Sequence, residues 1–449
     1  MERRSDNAAA RGPGVSSERT SNLWAALLCV CALAYVAAWV RILPSRAKNT
    51  DFSQFYVSAL LMRNHQDTYN TDIHTLGASL GLDTANIDHA NYPPTFLMIF
   101  EPLTLLRPRA AFWAWTAING AALAISLWIL LRPVAKYGTR AVVSMIALAL
   151  IYPPVTNHFY YSQSKIVLLL MLTGMMLALE HRQEIAAGML LALATMWLMF
   201  PIALFGYLIL ARRWRAALWA VAGIIALVGL TLLVAGVANT VNWRNGIGVI
   251  TNTFWYSQST NVAIGSFVSR LFWDAFGPDL GPRLDLVRRG SGAFAQIGIL
   301  ALACIPVLKN QRRGDPDSRL FCLWIIACVL ASPTAWIYNM VLLLIPFSRI
   351  ALASAAGAIR PAAVRFAKLS YAAIFLVCPT GCVHYVGSFF YPLAMRTGLP
   401  IFGVATEGAV LSLLMAFVAA YLFAAEPGDW EVAGSGSIRY GGPGAATVR

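Results

Sequence analysis

The sequence predicts an all-α integral membrane protein, a multi-span bundle of about 12 transmembrane helices. Three observations carry that prediction. Of the 449 residues, 58% are apolar and only 12% charged, about half the charged share of soluble domains. Nearly charge-free windows of roughly 20 residues, enough to cross about 30 Å of hydrocarbon, recur along the whole chain. Lys and Arg collect in short clusters between those windows, as orientation signals do. The net charge of +14 is therefore not a nucleic-acid footprint, since no basic stripe lines one helix or patch.

The elements follow in order. Residues 1–22 form a polar, Gly/Ser-containing tail, expected to be disordered and cytoplasmic. The run after it lacks a small-residue cleavage site and reads as an uncleaved anchor. Apolar runs fall at about 23–43, 95–106, 110–131, 141–155, 166–180, 185–211, 216–237, 293–308, 320–348, 369–388 and 401–424. The run 95–106 contains Glu101 and Pro102 and is too short to cross, so it is expected as a re-entrant or interfacial helix in the first outer loop. Pro201 and Pro333 break the runs 185–211 and 320–348, which then read as two shorter spans each. With the N-terminal tail inside, these choices put most of the 34 basic residues in cytoplasmic loops and tails. A polytopic domain over 23–425 results, with outer loops 44–109 and 237–292 and a Gly-rich cytoplasmic tail over 426–449.

Under this topology the polar, aromatic and Pro-rich interruptions share the outer face. Such segments survive at membrane depth only where they line protein or a wet cavity, so a polar site is expected to face outwards. No phosphate cradle or P-loop is present, which argues against a nucleotide-driven engine. The seven Cys lie in or beside apolar segments without spacing for zinc, haem or redox chemistry.

Asp51 opens the helix-like stretch "DFSQFYVSALLM" with no cationic partner beside it. Two readings compete there. With Thr50 before it and Gln54 three residues on, it suits a capping box. At the lip of an apolar helix it also suits a general base with a raised pKa. "HFYYSQSK" places His158, Tyr160, Tyr161, Gln163 and Lys165 at a span mouth. An interfacial aromatic belt with a snorkelling Lys explains them, and so does a site where Gln163 and Lys165 hold a phosphate or sugar hydroxyls. Arg244 and Arg270 bracket "QSTN" in the second outer loop; loop Arg residues are usually solvated, but with an outer-face carboxylate they would supply cations for a leaving phosphate.

"TDFSQFYVSALLM" with "DTYN", then "NYPPTFLMIFEPLTLL", "YYSQSKIVLLL", "STN" with "SFVSRL", and "SPTAW" run in that order through residues 23–425. In this order they resemble glycosyltransferase family 87, also called DUF2029, whose members are multi-pass enzymes of the GT-C type similar to polyprenol-phosphate-mannose-dependent mannosyltransferases. The resemblance implies a GT-C-like bundle with an outward site in a bacterial-type inner (plasma) membrane. It also implies a polyprenyl-phosphate sugar donor, a hexose with mannose the expected sugar, and a glycolipid or glycan acceptor. Transfer would invert, with Asp51 as general base. Lys165, Arg270, Gln163, Arg244 and His384 are the expected donor phosphate or sugar contacts. Tyr56, Tyr92, Pro93, Tyr161, Asn261, Trp336, Tyr338 and Asn339 are expected to line the cavity. No cofactor or nucleic acid is expected, and any metal requirement is left open.

Two steps depart from the family pattern. Trp197–Pro201 stands where members often carry a Lys-Pro-like step, and Tyr338-Asn339 where a His is common. Phosphate contacts would then pass to Lys165, Arg270 or His384, or activity would be altered, leaving a catalytically silent member. The rival from another class is a transporter or lipid flippase, which would place ionisable groups near the bilayer midplane; here the deep segments are nearly free of charge.

Overall fold

Long apolar runs free of internal breakers become helices, and Pro and Gly punctuate them. The computed structural model describes residues 15–48, 50–83, 90–250, 256, 258, 260–277, 279–310, 318–377, 401–425, 429–430 and 440–441. The helices are α1 (Val15–Arg46), α2 (Asp51–Arg63), α3 (Ile73–Ser79), α4 (Pro94–Phe100), α5 (Pro108–Leu131), α6 (Thr139–Ile151), α7 (Pro153–Tyr160) and α8 (Lys165–Glu180). They continue with α9 (Glu184–Leu198), α10 (Leu204–Leu210), α11 (Trp214–Ile250), α12 (Ile264–Phe276), α13 (Pro282–Asn310), α14 (Ser318–Ala331), α15 (Leu344–Ala355), α16 (Pro361–Val377) and α17 (Ile401–Ala424). A two-residue antiparallel pair, Asp429–Trp430 with Tyr440–Gly441, lies in the segment expected as a Gly-rich tail. At the other end α1 begins at Val15, inside the expected 1–22 tail.

Among the described residues, five helices are long and apolar enough to cross a membrane, or six if the bent pair α6–α7 counts as one span. Five further apolar helices of 10–17 residues, Pro94–Leu105 among them, are shorter. These lengths support an all-α membrane bundle without establishing the count of 12. At 1.5 Å per residue Pro94–Leu105 reaches only about 18 Å, short of a full crossing. The two Pro-broken runs do break. The first does so after Leu198, where Met199 takes φ 57° and a 3₁₀ turn over Phe200–Ala203 follows. The second breaks at 332–336, before a 3₁₀ turn over Ile337–Leu343.

Packing sorts the helices. The apolar window of α1 is 6% buried and that of 337–355 is 78% buried, so α1 is peripheral and 337–355 central. Close helix contact rests on small residues: a Cβ at Gly188 on α9 would lie 2.7 Å from Trp219 Cβ on α11. Helix α2 is buried around almost its whole circumference, the polar Ser53, Gln54 and Ser58 included. Phe52 and Phe55 meet Phe96, Phe100, Phe112 and Trp115 edge to face, with centroids 5.0–6.4 Å apart.

The segments expected as outer loops, 44–109 and 237–292, are fastened together. Asn239, Asn242 and Asn245 recur every three residues on one face of the segment of α11 beyond Gly236, where φ reaches 80°. Asn239 Oδ1 accepts from Thr68 N–H at 2.8 Å, Asn242 Nδ2 donates to Asp67 Oδ2 at 2.8 Å, and Asn245 Nδ2 donates to Asn70 Oδ1 at 2.8 Å. Further on, Gly246 lies so near Ala90 that an added Cβ would stand 2.5 Å from its carbonyl oxygen. This docking, with Tyr69 Oη donating to Tyr92 C=O at 2.7 Å, sets the position of Tyr92.

Candidate active site

Asp51 is the first residue of α2, preceded by Thr50 as N-cap, and no side-chain capping bond forms there. The capping role therefore falls away for Asp51, whose carboxylate instead accepts a short hydrogen bond from Gln163 Nε2. Gln163 in turn accepts from Tyr92 Oη at 2.9 Å and from Lys165 Nζ at 2.7 Å through its Oε1. Lys165 Nζ also donates to Tyr92 Oη at 2.7 Å and stands 5.0 Å from the centroids of both the Tyr92 and the Tyr338 rings. Two donors on Oε1 leave one consistent orientation for the amide, with its NH₂ towards Asp51.

The turn carrying Gln163 and Lys165 is held on both sides. Helix α7 ends as Tyr161 N–H and Gln163 N–H bond back to Asn157 and His158 carbonyls, at 3.0 and 2.9 Å. Ser162 is forced to φ 53°, a conformation non-Gly residues seldom take. Trp115 Nε1 donates to Ser162 C=O at 3.0 Å and Trp197 Nε1 to Ser164 C=O at 3.1 Å, so the turn is clamped by two indoles. His158, fully buried, pairs its Nε2 with Asn119 Oδ1 at 2.9 Å.

Two cations bear on Asp51. Burial raises its pKa most, and the charges of Lys165 and then Arg46 pull it back, leaving it at about 6. Arg46 ends α1, and its guanidinium lies 4.0 Å over the Tyr160 ring. The α2 N-terminus adds a field that favours the ionised carboxylate. Asp51 keeps part of its surface accessible, and so do Tyr92, Tyr161, Trp336 and Tyr338. Tyr338 lies 6.1 Å from Tyr161 and 6.5 Å from Trp336 between ring centroids. The result is a half-open carboxylate bordered by aromatic rings and backed by a buried ammonium, an arrangement able to accept a proton and bind a sugar face.

The other expected residues stand apart from this cluster. Arg270, 7% exposed, donates to Gln258 C=O, Asn261 C=O and Ser266 Oγ at 2.9, 3.1 and 2.8 Å. Asn261, expected to line the cavity, is fully buried; its Oδ1 accepts from Ala263 and Ala335 N–H at 3.2 and 3.0 Å, and the residue forms an antiparallel bridge with Trp336. These two fasten the loop that presents Trp336 and Tyr338. Tyr56 Oη donates to Leu106 C=O at 2.8 Å. Pro93 caps α4 and is buried. Asn339, also buried, bonds through its N–H to Trp336 C=O at 2.7 Å. Arg244 is exposed on α11, and His384 lies outside the described residues. Arg46, Trp115, Trp197 and Asn119 were not singled out by sequence as site residues, and no local pattern around "YYSQSK" points to them. Among the described residues, no group of three or more His, Cys, Asp or Glu is placed to hold a metal ion.

The family model of glycosyltransferase family 87 matches residues 91–333. The chain belongs to glycosyltransferase family 87. Two curated relatives are described as polyprenol-phosphate-mannose-dependent alpha-(1-2)-phosphatidylinositol pentamannoside mannosyltransferases. The one from Mycobacterium tuberculosis (strain CDC 1551 / Oshkosh) is 26% identical over 321 residues, covering 71% of this chain and 69% of the relative. The one from Mycolicibacterium smegmatis (strain ATCC 700084 / mc(2)155) is 27% identical over 254 residues, covering 56% and 58%. No solved structure matches. This family 87 member is thus a multi-pass membrane glycosyltransferase. The match includes Tyr92, Gln163 and Lys165 but begins after Asp51, so it is the fold that joins the carboxylate to the matched region.

Proposed function

We propose that this chain transfers a hexose, mannose by preference, from a polyprenyl-phosphate sugar to a hydroxyl of a glycolipid acceptor at the outer face of the plasma membrane. The observation that carries the reading is the convergence of Asp51, Gln163 and Lys165 beside the half-open rings of Tyr92, Tyr161 and Tyr338. The printed activity of the two relatives supports the donor and the glycolipid class of acceptor.

In this mechanism Asp51 takes the proton of the acceptor hydroxyl as its oxygen attacks the anomeric carbon. A new C–O bond forms on the face opposite the leaving group, and the sugar–phosphate C–O bond breaks. The electron pair leaves with polyprenyl phosphate, so the anomeric centre inverts. A carboxyl with a pKa near 6 is ionised at neutral pH yet basic enough to receive that proton. Lys165 holds the Gln163 carbonyl, the Gln163 amide N–H holds Asp51, and the base stays oriented before substrate arrives. The buried ammonium also offsets negative charge growing on the phosphate. The aromatic rings offer flat apolar surfaces to the sugar, leaving its hydroxyls to the polar edge.

The test uses the full chain in lipid nanodiscs with radiolabelled donors. Transfer from polyprenyl-phosphate mannose to a phosphatidylinositol mannoside is expected, and none from a nucleotide sugar. Efficient transfer from a nucleotide sugar, free of carrier lipid and of other enzymes, would remove the donor assignment.

A further inference from the structure

We infer that Arg63, Arg107 and Arg109, gathered at the apolar turn 104–106, hold the phosphodiester of an anionic glycolipid acceptor while a sugar further along its headgroup reaches Asp51. The inference deepens the proposed function and rests on its acceptor class.

Short contacts build the cluster. Arg63, in the last turn of α2, donates through Nη1 to Thr104 C=O and Thr104 Oγ1, both at 3.0 Å. Tyr56 Oη, on the same helix, donates to Leu106 C=O at 2.8 Å. These bonds fix the turn that delivers Arg107 and Arg109 to the start of α5. Both of those side chains are exposed, and the ion pairs of the described residues lie elsewhere, at Glu180, Glu184 and Asp285. Glu101 is the one acid of segment 94–116, so the three guanidinium groups outweigh it. Arg109 and Ala110 also belong to the first turn of α5, where no side-chain cap forms; N–H groups there have no intrahelical acceptor, and the helix field favours an anion. Apolar surface adjoins these cations: Leu105 is 73% and Leu106 42% exposed, and Ile99 and Trp113 are exposed with them. Cations beside exposed apolar side chains and a Trp match the boundary between acyl chains and headgroups. Planar guanidinium forks at that level suit a phosphodiester.

Geometry selects which lipid. The donor phosphate is bonded to the anomeric carbon that the acceptor oxygen attacks, so it must lie within one sugar of the base. Arg63 closes the 13-residue helix that Asp51 opens, about 18 Å away along its axis. Arg109 lies about 9 Å along α5 from Trp115, whose indole bonds the Ser162 carbonyl next to Gln163. The cluster is thus on the Asp51 side of the molecule but too far from the carboxylate to hold the leaving phosphate. A phosphodiester separated from the reacting hydroxyl by one or more sugars fits that distance, and an anionic glycolipid acceptor supplies one.

The test uses the full chain in phosphatidylcholine nanodiscs and compares wild type with Arg107→Gln, Arg109→Gln and the double variant. Donor KM, acceptor KM and kcat are measured with polyprenyl-phosphate mannose and two acceptors, a phosphatidylinositol mannoside and the neutral octyl mannoside. Each single change is expected to raise KM for the phosphatidylinositol mannoside about fivefold, and the double change about 25-fold. Donor KM and KM for octyl mannoside should hold, since neither molecule brings a phosphate to this cluster. If the double variant keeps wild-type KM for the phosphatidylinositol mannoside while wild type turns it over, the inference falls and the proposed function stands. An equal loss with octyl mannoside, or a rise in donor KM alone, also overturns it, because the cluster would then not be reading the acceptor phosphodiester. A loss that appears only when phosphatidylglycerol is added to the nanodisc would make the cluster an anchor for bulk anionic lipid and overturn it too. If wild type transfers to neither acceptor, the acceptor class falls and takes this inference with it.

Discussion

Lys165 and Arg270 are buried to a similar degree, 4% and 7% exposed, and each makes short hydrogen bonds, yet their surroundings differ in kind. Around Lys165 the partners are side chains: the Tyr92 hydroxyl, the Gln163 amide and, through it, the Asp51 carboxylate. Around Arg270 they are the Gln258 and Asn261 carbonyls and the Ser266 hydroxyl. A cation spent on main-chain carbonyls fixes a loop, and removing it loosens the fold. One surrounded by an amide, a phenol and an acid sets charge and orientation, and removing it changes chemistry. From sequence the two are alike, each a basic residue beside polar and aromatic neighbours in a loop between spans.

The largest effect expected from this contrast is at Asp51 itself. Since Asp51 accepts from Gln163 and no capping bond forms at the start of α2, Asp51→Asn should leave folding intact while removing the proton acceptor. A fall of about 10²–10⁴-fold in kcat is expected. A folded Asn variant with near-wild-type transfer would show that the carboxylate is not the base.

Lys165 comes next, and pH separates its effect from simple damage. With Asp51 at about 6 in the native chain, kcat/KM should rise about tenfold per pH unit below 6, because only the ionised carboxylate accepts a proton. Lys165 lowers that pKa, so Lys165→Met should move the acidic limb to higher pH. It also frees the Gln163 amide to turn its carbonyl to Asp51, a misplacement that costs on the order of 10²-fold in rate. An acidic limb unmoved in Lys165→Met would detach the ammonium from the carboxylate.

Arg270 should answer in stability. Arg270→Met leaves the Gln258 and Asn261 carbonyls without their donor, at a cost of roughly 1–3 kcal/mol, seen as a lower Tm. The Asn261–Trp336 bridge should weaken with it, so transfer should fall less than tenfold and with no shift in the pH profile. A wild-type Tm combined with a large rise in donor KM would return Arg270 to the phosphate.

How much of this was legible in the sequence follows from chain distance. Apolar runs and basic clusters reveal an all-α membrane bundle because both signals are local. Their Pro breaks were equally readable, and Met199 and the 332–336 segment do interrupt the helices. Span number is not local: helices of 10–17 residues such as Glu184–Leu198 satisfy an apolar pattern without the length to cross. In the site, Asp51, Gln163 and Lys165 were each readable as polar residues in apolar company. Their contact was not, since 112 residues separate Asp51 from Gln163. Trp197 read only as part of a divergent step, and Trp115 carried no reading, until their indoles are seen on the Ser164 and Ser162 carbonyls. Asn261 looked like a lining residue because "STN" is polar, but a buried amide in a loop is more valuable to unpaired main-chain N–H groups than to a ligand.

The smallest expected effect belongs to Arg244, the other Arg expected from sequence to contact the donor. Arg244 lies on the same segment of α11 as Asn242 and Asn245, which dock Asp67 and Asn70, but its own side chain is exposed. Exposed cations on such a segment act mainly through screened, long-range attraction. Arg244→Ala should therefore leave kcat and donor KM within about twofold at 0.15 M salt, where the Debye length of about 8 Å screens exposed charges. Because the Asn face is untouched, stability should change by less than about 0.5 kcal/mol. Lowering the salt tests the mechanism further: if Arg244 only enriches anionic lipid nearby, the difference from wild type should widen as the Debye length grows. A hundredfold rise in donor KM that persists at high salt would require direct contact with the phosphate, and would put the end of α11 beside Asp51.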